Sequence, residues 1–216
     1  ALVVPASTTI HWLESFADGL RDACQQLAPG CGVVGGDLAA GDQVVISVAA
    51  HGSLEGHEPV LRSGAQVGDI VAVAGTLGRA ACGLALLFSE NQDAINAYDD
   101  FVNVQKRPQP PIAAGKQAAE AGATSMLDIS DGLAKDANRI AKASGVTIEI
   151  DPRMLQGYEA MLEEPARAIG VDEKLWVLTG GEDHALLATF SPDAVIPRAF
   201  KPIGVVLPQG AANVML

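Results

Sequence analysis

Residues 125–136 read SMLDISDGLAKD, and this stretch decides the fold because a strand pattern turns there directly into a helix pattern. The apolar run 123–129 predicts a strand, while apolar residues recur every three or four positions across 130–145 and predict a helix. Strands alternate with helical patterns along most of the chain. This alternation predicts an α/β fold.

Three carboxylates, Asp128, Asp131 and Asp136, fall within this short stretch. One interpretation is helix capping, with Ser130 as the N-cap and Asp131 at the positive end of the helix dipole. The other is a metal and phosphate site, because two close anions require a cation and a helix N-terminus offers N–H groups to phosphate. Capping does not account for Asp128 at the end of an apolar strand. Spacing alone leaves both interpretations open, and Asp136 is expected on the solvated face.

Composition excludes several classes of protein. The formal net charge of -12 argues against a nucleic-acid or anionic-lipid surface. The three cysteines, Cys24, Cys31 and Cys82, lack zinc-site spacing and a disulfide framework, which favours a reducing cytoplasm. No apolar stretch is long enough for a membrane span, so we expect a cytoplasmic protein without a membrane partner.

The first quarter of the chain predicts one helix and one hairpin. A capping cluster at 7–9 precedes a helical pattern that closes at Pro29-Gly30. The apolar runs 31–37 and 43–52 predict an antiparallel pair with a turn at Gly41-Asp42.

A polar, turn-rich segment at 55–69 separates two parts of the chain. We therefore predict an N-terminal domain over 1–61 and a C-terminal domain over 62–216. The chain is already strand-like at Ala1 and lacks an initiator Met, so we expect a fragment.

Other motifs carry candidate site residues, each with a structural alternative. Asp37 follows two glycines, which suits either a ligand or a plain turn. Arg62 lies in a glycine-rich segment and is either a phosphate clamp or a solvated side chain. Residues 180–183 read GGED and form either a ligand loop or a tight turn with two exposed acids. His184 has no partner in the sequence and is expected to be structural.

Six segments together resemble one family: VVGGD, LRSGAQVGD, VAGTLGRAACGL, RPQPPIAAG, MLDISDGLAKD and LTGGEDHALL. Their order and approximate spacing are similar to those of thiamine-monophosphate kinase, a relative of aminoimidazole-ribonucleotide synthetase. The resemblance extends from residue 1 to about residue 208. It implies the mixed-sheet α/β fold of that superfamily, with an incomplete N-terminal domain and a C-terminal α/β domain.

The resemblance also implies a function. Members transfer the γ-phosphoryl group of ATP to the phosphate of thiamine monophosphate, giving thiamine diphosphate and ADP in thiamine diphosphate biosynthesis. Mg²⁺ is the implied cofactor, and a homodimer is the implied state of a full-length chain.

The matching motifs imply roles for particular residues. Three carboxylates correspond to metal ligands: Asp37, Asp128 and Asp131. Four residues correspond to ATP contacts: Gly36, Asp37, Arg62 and Ser130. Glu182 corresponds to a contact with the thiamine moiety. Catalysis is expected to depend on Arg62, Asp128 and Asp131.

The chain departs from the family pattern at three places. An N-terminal segment with further metal-binding motifs and an aromatic C-terminal tail are absent, so we expect this fragment alone to be inactive. Where many members have Tyr and an acid, this chain has His184 and Ala185. Two alternatives stay open, another ATP-dependent synthetase of the superfamily and a non-catalytic nucleotide-binding module.

Overall fold

The contacts within the chain divide it into two units, Ala1–Glu58 and Pro59–Leu216, hereafter unit 1 and unit 2. The structure is a computed structural model and describes all residues from Ala1 to Leu216. None of its helices combines the length and the apolar character needed to cross a membrane.

Unit 1 contains a three-stranded sheet and one long helix. Its elements are β1 (Leu2–Val4), α1 (Ile10–Leu27), β2 (Leu38–Ala40) and β3 (Val45–Ile46). The predicted helix is confirmed. The Thr9 hydroxyl accepts a hydrogen bond from the Trp12 N–H at 3.2 Å, and the helix ends before Pro29-Gly30.

The predicted hairpin in unit 1 is wrong. Strand β1 lies between β2 and β3, pairing parallel with the first and antiparallel with the second. The N-terminal strand uses both of its edges: Leu2 N–H donates to the Asp37 carbonyl at 2.8 Å, and Ser47 N–H donates to the Ala1 carbonyl at 2.9 Å. The segment 31–37 is not a strand, and residues 41–44 cross from one side of β1 to the other.

Unit 2 alternates strands and helices as the sequence predicts. Its strands are β4 (Ile70–Ala74), β5 (Ala123–Ile129), β6 (Val146–Ile150), β7 (Ala185–Phe190), β8 (Phe200–Pro208) and β9 (Val214–Met215). Its helices are α2 (Arg79–Phe88), α3 (Gln92–Ala97), α4 (Asp99–Lys106), α5 (Ile112–Glu120), α6 (Leu133–Ser144), α7 (Pro152–Glu159), α8 (Glu163–Ile169) and α9 (Glu173–Thr179).

The strands of unit 2 form one mixed sheet in the order β5-β7-β4-β8-β6-β9. Four neighbouring pairs are antiparallel, and only β6 and β9 run parallel. The expected mixed-sheet α/β class is thereby confirmed. Because β5 and β7 are neighbours, the end of β5 and the start of β7 meet at one edge of the sheet.

Helices cover both faces of this sheet, as the central strand β4 shows. Alternate side chains of a strand point to opposite faces. Val71 and Val73 belong to the larger apolar cluster, which includes residues of α2, α6 and α9, whereas Ala72 and Ala74 belong to a smaller cluster with α5. All four side chains are fully buried. The sheet is therefore a rigid platform for the loops at its edge.

Candidate active site

The acidic loop, residues 128–132, comprises the last two residues of the edge strand β5 and the three residues that connect it to α6. Asp128 pairs with Leu186 and Ile129 with Ala185 in the antiparallel ladder between β5 and β7. The Ile129 side chain is fully buried, whereas half of the Asp128 side chain is exposed. The ladder thus fixes the backbone of Asp128 and leaves its carboxylate at the surface.

Helix α6 begins at Leu133, so the interpretation of Ser130 as its N-cap is wrong. Its N-cap is Gly132, and no side chain caps the helix. Gly132 has φ +107°, which a residue with a side chain rarely adopts. The Ser130 carbonyl instead accepts a hydrogen bond from the Glu182 N–H at 3.0 Å. The backbone of Ser130 therefore connects the acidic loop to the neighbouring loop.

Asp136 was expected on the solvated face, and this expectation is wrong because its side chain is completely buried. One carboxylate oxygen accepts a hydrogen bond from the Asp131 N–H at 3.0 Å, and the other accepts one from Arg139. The sequence held a signal for this burial. Asp136 follows Leu133 by three residues and precedes Ile140 by four, which places it on the apolar stripe of the helix.

Arg139 joins two carboxylates of this region. One guanidinium nitrogen pairs with the buried Asp136, and another pairs with Asp131, whose side chain is 46% exposed. Arg139 itself is partly exposed at the surface. The single guanidinium is thus the local counter-ion for one buried and one accessible carboxylate.

The glycine loop, residues 180–184, lies directly against the acidic loop. A Cβ on Gly181 would come within 2.2 Å of the Ser130 carbonyl oxygen, and a Cβ on Gly180 would lie 2.4 Å from the Trp176 carbonyl oxygen. These contacts are far closer than real Cβ atoms allow, so both glycines are required by packing. The GGED motif is therefore more than an exposed tight turn.

Asp183 is buried, which contradicts the alternative of a tight turn with two exposed acids. It accepts hydrogen bonds from the Thr76 hydroxyl at 2.8 Å, the Arg79 N–H at 3.2 Å and the Ala80 N–H at 3.3 Å. Burial raises the pKa of Asp183, and these donors oppose the shift. Asp183 therefore caps the N-terminus of α2. The sequence held a signal for its burial, because Asp183 precedes the buried Ala185 by two residues and alternate residues of a strand point to the same face.

Glu182 and His184 flank Asp183, and the His184 ring lies near the carboxylates of both Glu182 and Asp128. The φ angles of Glu182 and His184 are +69° and +51°, in the left-handed region that residues with side chains rarely occupy. His184 Nδ1 lies 3.6 Å from the Asp128 carboxylate, and His184 Nε2 lies 3.6 Å from the Glu182 carboxylate. His184, which the sequence left without a partner, therefore lies between two of the predicted site residues.

Arg62 lies in a segment alongside the outer edge of β5. The Leu61 carbonyl accepts a hydrogen bond from the Met126 N–H at 3.0 Å, and the Ser144 hydroxyl donates to the Arg62 carbonyl at 3.2 Å. The side chain of Arg62 is exposed and forms no ion pair. Its backbone is thus fixed to the sheet, while its guanidinium is available to an anion.

Gly36 and Asp37 belong to unit 1, where both are exposed. The Asp37 carbonyl is fixed by Leu2, and a Cβ built on Gly36 would meet no atom within 4 Å. Packing inside unit 1 therefore does not require a glycine at this position.

The donor set of unit 2 suits Mg²⁺ better than a metal enclosed by protein. No group of three or more His, Cys, Asp or Glu residues could by itself hold a metal ion. Mg²⁺ usually keeps several waters and takes one or two carboxylates together with substrate phosphates. Asp128 and Asp131 are both about half exposed and fit that type of site.

Residues 66–214 match the family described as AIR synthase related protein, C-terminal domain, and the chain belongs to this family. Within it, the chain is similar to thiamine-monophosphate kinases, which confirms the resemblance seen in the motifs. The kinase of Mycobacterium tuberculosis is 42% identical over 215 residues, which are 98% of this chain and 61% of the relative.

Solved structures agree with this similarity. Thiamine monophosphate kinase from Aquifex aeolicus is 28% identical with a TM-score of 0.77, over 97% of this chain and 69% of that one. A structure of AaThiL complexed with AMPPCP and TMP is 27% identical with a TM-score of 0.77, over 99% of this chain and 67% of that one. The chain thus spans 61% of the length of the first curated relative and about two thirds of these solved chains.

Proposed function

We propose that this chain contributes to a thiamine-phosphate kinase, which transfers the γ-phosphoryl group of ATP to thiamine monophosphate and releases thiamine diphosphate and ADP. The observation that carries the proposal is the convergence of Asp128 and Glu182 on His184 at one edge of the sheet. The names of the similar proteins support the same activity, and AMPPCP is an analogue of ATP.

The chemistry of the residues is consistent with this reaction. The acceptor is already a phosphate anion, so no residue has to remove a proton from a hydroxyl group before transfer. The protein must instead align two polyanions and offset their repulsion. When bound, Mg²⁺ supplies positive charge to the phosphate oxygens, and Asp128 and Asp131 would hold it in unit 2. For Asp37, in unit 1, the role of metal ligand is implied by the family resemblance alone.

The remaining candidates have roles that follow from their chemistry. Arg62, with an exposed guanidinium and an anchored backbone, would clamp a phosphate of ATP. Ser130 would contact ATP from the acidic loop. For Gly36, in unit 1, an ATP contact is implied by the family resemblance alone. Glu182 would contact the thiamine moiety, whose positively charged thiazolium ring suits a carboxylate.

The test is turnover by a chain extended to the full length of the relatives. ADP release and thiamine diphosphate formation should both require Mg²⁺ and thiamine monophosphate. Asp128→Asn should reduce the rate by at least about a hundredfold, the effect typical of losing a charge-stabilising group. Asp193→Asn, which changes an exposed carboxylate on a loop outside the candidate site, should leave the rate unchanged.

Two results would contradict the proposal. ADP release without thiamine monophosphate would favour another ATP-dependent synthetase. Nucleotide binding in calorimetry that thiamine monophosphate does not alter, without turnover, would favour a non-catalytic nucleotide-binding module. The 216 residues alone are expected to be inactive or nearly so.

We also propose a cytoplasmic location and a homodimer for the chain at the relatives' length. Light scattering coupled to size-exclusion chromatography should give twice the monomer mass for that longer chain. A monomer at micromolar concentration would refute the dimer.

A further inference from the structure

The most deeply buried charge near the acidic loop belongs to a residue that the proposed reaction does not use. Asp136 has no exposed surface, and both of its carboxylate oxygens accept hydrogen bonds, one from the Asp131 N–H and the other from the Arg139 guanidinium. A buried carboxylate is stable only with such partners. Asp136 therefore fixes the backbone of Asp131 and the position of Arg139 at the same time.

Arg139 uses its two terminal nitrogens on different carboxylates. One contacts Asp136 and the other contacts the accessible carboxylate of Asp131. A guanidinium is a permanent cation with a rigid planar fork, so its position follows from the buried partner. A divalent cation that approaches Asp131 must therefore share that carboxylate with a positive charge already in place.

We propose that Asp136 and Arg139 are positioning residues that together set the affinity of Asp131 for a divalent cation. Arg139 acts as a built-in competing charge, and Asp136 holds it in place. The inference rests on the proposed function only in taking Asp131 as a metal ligand. It assigns a role to two residues for which the family resemblance gave none.

The two residues should act in opposite directions on metal binding. Removing the Arg139 charge leaves Asp131 and Asp136 without their cation and makes the loop more negative. Removing the Asp136 charge leaves Arg139 with Asp131 as its only carboxylate and makes the loop less negative. A unit charge several ångströms from a divalent ion changes affinity by roughly three- to tenfold in a water-like, salt-screened environment.

The experiment measures Mn²⁺ binding to the 216-residue chain by electron paramagnetic resonance, counting only the binding that Asp131→Asn abolishes. Arg139→Gln should lower the Kd for Mn²⁺ by about three- to tenfold, and Asp136→Asn should raise it by a similar factor. Arg139→Lys keeps the charge and should bind almost as the unchanged chain does. Arg153→Gln, which breaks the exposed Asp151–Arg153 pair elsewhere in unit 2, is the matched control and should have no effect.

Thermal unfolding of the same variants separates this role from a purely structural one. Both Arg139→Gln and Asp136→Asn should lower the Tm, because each breaks the same ion pair, in which the Asp136 carboxylate is buried. A structural role alone would move Mn²⁺ affinity in the same direction in both variants, and that result would overturn the inference. The absence of any Mn²⁺ binding that depends on Asp131 would also overturn it.

The kinase proposal is tested separately by turnover. Opposite shifts in Mn²⁺ affinity without kinase activity in the longer chain would sustain this inference and refute the proposed function. Kinase activity together with Mn²⁺ affinities that shift in the same direction in both variants would sustain the proposed function and refute this inference.

Discussion

Asp183 provides the sharpest test of how unit 2 is held together. Its carboxylate, in the loop before β7, caps α2 and accepts hydrogen bonds from the Thr76 hydroxyl and the N–H groups of Arg79 and Ala80. Asp183→Ala would leave all three donors without this acceptor in a buried place. A buried donor without a partner costs about 1 kcal/mol or more, so the variant should lose about 3 kcal/mol of unfolding free energy.

Two variants calibrate this value. Asp183→Asn keeps the shape and one accepting oxygen, so it should lose only about 1–2 kcal/mol. Asp172→Ala is the matched control, because Asp172 also caps a helix, α9, through the Lys174 N–H but is exposed to solvent. Water can replace that carboxylate, and the loss should be about 1 kcal/mol or less.

The assay is urea denaturation followed by tryptophan fluorescence. Trp176 is 6% exposed, and its backbone carbonyl lies beside Gly78, immediately before α2. With Trp12 of unit 1 replaced by Phe in every variant, the emission reports the region that Asp183 caps. Equal losses in Asp183→Ala and Asp172→Ala would refute the argument, because they would mean that burial of the cap does not matter.

The pH dependence of the same variants gives an independent check. Burial raises the pKa of Asp183, so the folded chain binds this proton more tightly than the unfolded chain does. The free energy of unfolding contributed by Asp183 therefore falls as pH rises through the raised pKa, and increases as pH falls toward the ordinary Asp pKa of about 3.9. Since Asn does not titrate, the stability difference between the unchanged chain and Asp183→Asn should widen toward acid. A stability difference that narrows toward acid pH would refute the predicted direction of this pH dependence.

Two further predictions concern thiols and packing. Under native conditions Cys31, which is exposed, should react rapidly with a thiol reagent, whereas Cys82 should stay unmodified because burial raises its pKa to about 12; mass spectrometry of the labelled chain decides this. Gly181→Ala should lower the unfolding free energy by about 2 kcal/mol or more, because its Cβ would lie 2.2 Å from the Ser130 carbonyl oxygen. Gly157→Ala, in a helix with open space around it, should be neutral or stabilising, and equal effects of the two changes would contradict the packing argument.

Local sequence patterns predicted the elements of unit 2 well, because strand and helix periods depend on neighbouring residues. The hairpin in unit 1 failed for the opposite reason. Two apolar runs joined by a short turn were expected to pair with each other, but the first run is not a strand, and β1 pairs with β2 and β3 instead. The choice of strand partner is a long-range property, and a single sequence carries little information about it.

The ligand roles of the site residues stay predictions, and the structure adds buried residues beneath them that were missed in the sequence. Asp128 and Glu182 were identified from their motifs, and the structure brings both to His184. The buried roles of Asp136 and Asp183 were missed, because acidic residues are seldom buried in proteins and exposure was therefore expected. The N-terminus of α2, which Asp183 caps, lies on an element whose proximity only the fold defines, whereas Arg139 follows Asp136 by three residues on the same helix.

The exposed and the buried carboxylates of the acidic motifs have different roles. Each of the two loops has an exposed carboxylate with a buried acid close to it in sequence: Asp131 with Asp136 of α6, and Glu182 with Asp183. Each buried acid has a fixed donor set, which holds the backbone of its exposed neighbour in place. An exposed carboxylate on such a backbone loses less entropy when it binds a cation or a charged substrate. Replacing the buried acids should therefore weaken binding at the exposed ones, even though the buried acids touch no ligand.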